Sequence, residues 1–264
     1  MRNLLNQTTE MAARYLETLD ERGVAPTPEA LARLPELHQS LDDDPQHPSA
    51  VLEFLDRIGS PATMAMAGRR YFGFVIGGSL PAALAANWLA GAWDQCPGLF
   101  AASPIGTALE EVSLRWLLDV LKLPPGSGGS FVTGATMASF TALAAARHAV
   151  LENAGWDVEA DGLFGAPPVT VVVGDECHPS VIKGLGMLGL GRSRLLRVPA
   201  DEQGRMRATE LPRLSGLSIV CIQAGNVNTG AFDPAREICA RAHDAGAWVH
   251  VDGAFGLWAA ASRN

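Results

Sequence analysis

The chain is poor in lysine: its 264 residues hold only Lys122 and Lys183. Charged residues of all kinds make up 18%, and acidic ones outnumber basic ones, for a formal net charge of -8. A surface built for nucleic acid needs a basic patch, so the charge argues against that class. A single anionic ligand is not excluded, because a few local donors suffice to hold one phosphate. No apolar run is long and clean enough to span a bilayer. The opening MRNLLNQTTEMAARYLETLDERG lacks the apolar core of a secretory signal. Cys96, Cys177, Cys221 and Cys239 are scattered without a C-x-x-C pair, which argues against structural zinc. They are expected as buried free thiols of a protein in the reducing cytoplasm. There is no internal repeat and no long low-complexity segment. No G-x-G-x-x-G follows a first strand with an acidic residue at dinucleotide-binding distance.

Hydrophobic residues make up 48% of the chain, which suits one large domain with or without a terminal arm. The first 60 residues read as polar helices broken by Pro26, Pro28, Pro35, Pro45 and Pro48. Leu4, Leu5, Met11, Tyr15, Leu16 and Leu19 fall near one face of an opening helix. LDDDPQHPSAVLEFLDRIG reads as a loop, then a helix capped near Ser49. GGSLPAALAANWLAGAW reads as a buried helix from Pro81, and EEVSLRWLLDVLKLP as an amphipathic helix stopped by Pro124 and Pro125. From about residue 130, β-rich runs alternate with helical ones: SFVTG, PVTVVVGD, RLLRVPAD, LSIVCIQAG and AWVHVDGAFG. That alternation predicts an α/β domain with a mostly parallel sheet. VTVVV and SIVCI are apolar throughout, as strands covered on both faces are. We therefore divide the chain into a helical segment, 1–70, and an α/β domain, 71–264.

Ligands of open α/β sheets bind beyond the carboxyl ends of the strands, and four such ends carry polar or small residues. Thr133-Gly134-Ala135-Thr136 opens a helix, where free N–H groups attract phosphate; an ordinary glycine turn with a threonine cap reads equally well. His178, in Asp175-Glu176-Cys177-His178-Pro179-Ser180, precedes a helix. It can stack on a flat heteroaromatic ring, work as acid or base, or simply start the helix. Asn226 and Asn228, in Gly225-Asn226-Val227-Asn228-Thr229-Gly230, can bond a ligand or their own backbone. His250 and Asp252 fall on one side of the strand AWVHVD. A buried carboxylate there needs a partner, and a pyridinium N–H would be one, with Gly253 and Ala254 small enough to let a ring lie close. Capping of the next loop is the alternative. An H-x-D pair also occurs at iron sites, but those belong to all-β folds.

Six segments, in order, resemble the group II pyridoxal-phosphate (PLP) dependent amino-acid decarboxylases, of the aspartate-aminotransferase-like fold type I. They are YFGFVIGGSLPAALAANWLAGAWDQ, ASPIGTALEEVSLRWLLDVLKLP, TGATMASFTALAAARH, ECHPSVIKGLGMLGLG, AGNVNTGAFDP and HVDGAFG. The resemblance implies PLP as cofactor, an amino acid as substrate and a homodimer. It implies that Ala135 and Thr136 hold the cofactor phosphate and that His178 stacks on the ring and helps position the substrate carboxylate. It further implies that Asn226 lies near the cofactor oxygens, Asp252 pairs with the pyridine nitrogen and Ala254 lies against the ring. Phe72 and Phe74 resemble the segment that shapes the substrate pocket, partly across a dimer interface. No metal is implied.

That family holds PLP as a Schiff base to a lysine that follows a histidine, well beyond the aspartate motif. Lys122 reads instead as a helix-end residue and Lys183 as one turn beyond His178. The expectation is a truncated, inactive form of the family, with the small C-terminal domain absent and apolar edges that lower solubility. Aromatic amino acids, glutamate, aspartate and diaminobutyrate are all open as substrates. The competing readings are another fold type I enzyme (an aminotransferase or cysteine desulfurase) and a non-catalytic binding or interaction protein.

Overall fold

Four of the five β-rich runs form strands in the computed structural model, which describes residues 1–41 and 43–262. They are β1 (Thr170–Gly174), β2 (Leu196–Val198), β3 (Ser218–Gln223) and β4 (Trp248–Asp252). All pair in parallel, in the order β2-β1-β3-β4. Between and before them lie α6 (Ala135–Glu152), α7 (Val158–Asp161), α8 (Pro179–Met187) and α9 (Ala235–Asp244).

The strands are apolar throughout because both faces are covered. Val171, Val173, Ile219 and Cys221 share a buried cluster with Leu143, Ala146 and Val150 of α6 and Val181 and Leu185 of α8. The alternate residues Val172, Val220 and Ile222 share a second cluster with Ile238 and Ala242 of α9. Alternation along each strand thus feeds two layers of helix.

The fifth run, Ser130–Val132, is not a strand. A short β-prone run forms a strand only against a neighbour with free N–H and C=O groups. Among the described residues no strand pairs with it, and Phe131 stays exposed.

By contact, the chain separates into two compact units, Met1–Gln95 and Cys96–Asn264. The second holds the sheet and also α5 (Pro104–Val120), which ends before Pro124 as its sequence predicts. The first contains α1 (Arg2–Glu17), α2 (Pro28–Ala32), α3 (Pro48–Ala62) and α4 (Pro81–Trp93). There α1 packs on α3, with Arg14 and Asp56 paired at 2.5 Å. The cap of α3 falls two residues before the expected Ser49, at His47, with Pro48 at the first helical position. Asp42, within the loop expected before it, lies outside the described residues, as do Arg263 and Asn264.

Helix α4 departs from expectation. It begins at Pro81 as read, but none of its residues is buried. Apolar side chains all round a helix usually mean burial; here unit 1 leaves Trp88, Leu89 and Trp93 at the surface. Similarly, Cys177 and Cys221 are buried, whereas Cys96 is exposed and Cys239 half-buried. Cys96 sits in the turn after α4, where nothing in its unit covers it. No helix among the described residues is long and apolar enough to cross a membrane.

Candidate functional site

The chain leaves β1 to pair β2 on one side, then returns to pair β3 on the other. Loops at such a reversal diverge and open a crevice at the carboxyl edge of the sheet. Three strand ends meet this edge: Gly174 of β1, Gln223 of β3 and Asp252 of β4.

His178 stands just past β1 as the N-cap of α8. Its Nδ1 accepts from the Ser180 N–H at 3.2 Å and lies 2.8 Å from Ser180 Oγ. With Nδ1 accepting, the ring proton sits on Nε2, and the residue is exposed.

Helix α6 brings a second group of donors to the same edge. It runs beside α8 in the same direction, since Phe140 lies against Gly184 and Arg147 donates to the Leu188 carbonyl at 3.1 Å. Gly134 starts α6 without a capping side chain. No hydrogen bond among the described residues uses the N–H groups of Ala135, Thr136 or Met137. The dipole and free donors of such a helix start favour an anion.

Asp252 ends β4, half-buried. One carboxylate oxygen, Oδ1, accepts from the Ala254 N–H at 3.1 Å. Its other oxygen has no hydrogen bond among the described residues. Asn226 is buried and committed to its own turn, Oδ1 accepting from Asn228 N–H at 2.9 Å and Thr229 N–H at 3.3 Å. Ala254 is exposed. Phe72 and Phe74 belong to the other unit and stand 90% and 86% exposed.

Several residues that build this edge carried no signal in the sequence. Asp233 is buried, and its carboxylate accepts from Met206 N–H and Gln223 N–H, both at 2.7 Å. Burial pushes its pKa up, against the pull of those two donors. Gln223 reaches across to the Glu176 carbonyl at 3.0 Å, tying β3 to the loop after β1. Ala224 N–H donates to the Asp252 carbonyl at 2.8 Å. Beside that bond, Gly225 has φ +100°, and a Cβ on it would lie 2.9 Å from Gly256 Cα; a Cβ on Gly256 would overlap the Ala224 carbonyl. Only glycines allow this crossing of the loops after β3 and β4. Gly253 is small for a local reason as well, because its Cβ would meet Leu257 at 2.9 Å.

The buried groups below the edge are not nucleophiles. Burial, reinforced by the Asp252 charge, pushes the Cys177 thiol up to about 12, and burial raises Cys221 well above its ordinary value. Burial lowers His250, keeping its imidazole neutral. Lys122 and Lys183 are both exposed, the former 3.8 Å from Asp119. The spacing Gly184-x-Gly186-x-x-Gly189 lies in α8 and the turn after it, not at a strand-to-helix turn where a dinucleotide would bind. A groove of about 560 Å³ in unit 1 is lined by Met11, Leu16, Leu52, Leu55, Leu84 and Trp88 among others. Its one charged residue, Asp56, is paired with Arg14.

Residues 28–262 match the model of the pyridoxal-dependent decarboxylase conserved domain. The chain belongs to the pyridoxal-dependent decarboxylase family. Aromatic-L-amino-acid decarboxylase of Bacillus atrophaeus is 27% identical, over 97% of this chain and 53% of its own length. Human cysteine sulfinic acid decarboxylase is 29% identical, over 78% of this chain and 41% of its own. The crystal structure of mouse CSAD superposes with a TM-score of 0.87 at 26% identity, over 99% of this chain and 56% of that one. This member of the family therefore spans about half the length of the relatives it matches, and shares their fold type I architecture.

The family's cofactor is PLP, and the edge fits it. The uncapped turn of α6 matches a phosphate, the unclaimed Asp252 oxygen matches a pyridine N–H, and the exposed His178 ring matches a flat heteroaromatic face. No titratable cluster among the described residues suits a metal ion instead.

Proposed function

We propose that this chain is the cofactor-holding half of a decarboxylase that removes carbon dioxide from an L-amino acid. The observation that carries the reading is the single unclaimed Asp252 oxygen at the sheet edge that the α6 turn also reaches. The N–H groups of Ala135 and Thr136, with the Thr136 hydroxyl, hold the phosphate. Asp252 accepts from the pyridine nitrogen, and a carboxylate there favours the protonated ring. Bound in this way, PLP supplies an electron sink for the charge left when carbon dioxide departs.

His178 stacks on the ring, and its Nε2–H remains free to meet a substrate carboxylate. Ala254 lies against the opposite side of the ring, and the Asn226 amide nitrogen borders the cofactor oxygens. Phe72 and Phe74 shape the substrate pocket when a second copy supplies the other wall. A homodimer is supported by the exposed apolar α4 face, and residues 71–264 form the cofactor domain. Free thiols support a cytoplasmic setting.

The test is binding of PLP to the 264-residue chain, followed by absorption spectroscopy and by borohydride reduction with mass analysis. Saturable binding that Asp252→Ala and Thr136→Ala weaken supports the reading. Binding unaffected by either substitution overturns it. A stable adduct on Lys183 would show that this lysine, and not one outside the chain, anchors the cofactor.

A further inference from the structure

Among the described residues of the sheet strands, His250 carries a buried side-chain nitrogen without a hydrogen-bond partner. It pairs laterally with Cys221, whose side chain lies in the cluster under α6 and α8, so the imidazole points to that face. It is 7% exposed, and its Nε2 is buried with no hydrogen-bond partner among the described residues. A buried ring nitrogen left unsatisfied is costly and rare. Leucine or phenylalanine would fill the same space without that cost.

Asp252 follows two positions along β4, on the same face, about 6.6 Å away along the strand. At that spacing the Asp252 charge acts on the His250 ring. The carboxylate has one oxygen held by Ala254 N–H and one free. A neutral imidazole beside it supplies a hydrogen bond without adding a competing charge.

We infer that His250 is a positioning residue for Asp252, its imidazole set beside the carboxylate on the same face of β4 so that the free oxygen is aimed at the ligand's ring nitrogen. The inference rests on the reading of Asp252 given above. It assigns to the core of β4 a role in recognising a protonated heteroaromatic nitrogen.

The probe is 4-deoxypyridoxine 5′-phosphate, which keeps the ring nitrogen and phosphate but has no aldehyde to react with a lysine. Its affinity for the chain is measured by calorimetry, and protonation of its ring nitrogen by ultraviolet absorption across pH. Wild type is expected to hold the ring nitrogen protonated to higher pH than in free ligand. His250→Phe is expected to bind about tenfold more weakly, with the ring titrating as in free ligand. His250→Gln, whose amide reaches the Nε2 position, is expected to restore most of both. A His250→Phe protein that matches wild type in both measurements overturns the inference. Wild type whose bound ligand titrates like free ligand overturns the reading of Asp252, and the inference with it. If the Phe variant does not fold, the 15N resonance of His250 Nε2 in labelled wild type decides: a shift on ligand addition supports the coupling, and no shift refutes it.

Discussion

Replacing Asp233 by alanine tests whether the carboxyl edge is held from below by a buried carboxylate. Both its oxygens accept backbone N–H groups at 2.7 Å, one from Met206 and one from Gln223. Truncation leaves two largely buried donors unsatisfied, each costing about 1–3 kcal/mol. Relief of the carboxylate's own burial offsets part of this, so the net loss is about 3 kcal/mol. For a chain of this size that lowers Tm by about 6–12 °C. Urea unfolding followed by circular dichroism gives the free energy, and calorimetry gives Tm. Asp233→Asn keeps one acceptor and should lose about half as much. A loss below about 0.5 kcal/mol for the alanine variant, the range of ordinary surface changes, would refute the assignment of Asp233 as the clamp.

The same carboxyl has a raised pKa because it is buried. The folded state therefore binds its proton more tightly than the unfolded chain. That contribution is fully present below the ordinary aspartate range and is lost as pH rises through the raised folded value; Asp233→Asn should flatten this part of the stability profile. His148 is raised by its hydrogen bond to Glu159 at 2.6 Å. NMR titration should place it above the ordinary histidine value, with Glu159→Gln returning it, and its contribution to stability should vanish as pH rises through the folded value. Thiol labelling at pH 8 should modify exposed Cys96 first, with Cys177 and Cys221 reacting only after denaturation because they are buried and protonated. Gly256→Ala should cost about 1–3 kcal/mol by overpacking, measured by urea unfolding, whereas Gly126→Ala, with open space around it, should change stability by less than about 0.5 kcal/mol.

The sheet was legible because VTVVV and SIVCI have no polar face, which only a doubly covered strand tolerates. Helix starts were legible where proline stands at the first position, as at Pro81 and Pro179. Ser130–Val132 misled because strand formation depends on a neighbour, which local composition does not contain. Helix α4 misled because apolarity reports what a surface prefers, not what covers it. In the site, His178 and Asp252 stood out as polar residues at the ends of apolar strands. Asn226 was ambiguous from sequence, and its carbonyl is spent on its own turn. Asp233 and the Gly225–Gly256 crossing left no local trace, because each is defined by a partner more than 20 residues away in the chain.

That crossing has a consequence for how such a site diversifies. Where Gly225 meets Gly256, main chain rests on main chain, and no side chain stands between them to be lengthened or trimmed. The loops after β3 and β4 are thus locked in step, and an insertion in one displaces the other. Changes in what the edge accepts must come through side chains on the β1 loop and the α6 turn, which leaves the β3–β4 pair as the fixed reference against which a ligand is measured.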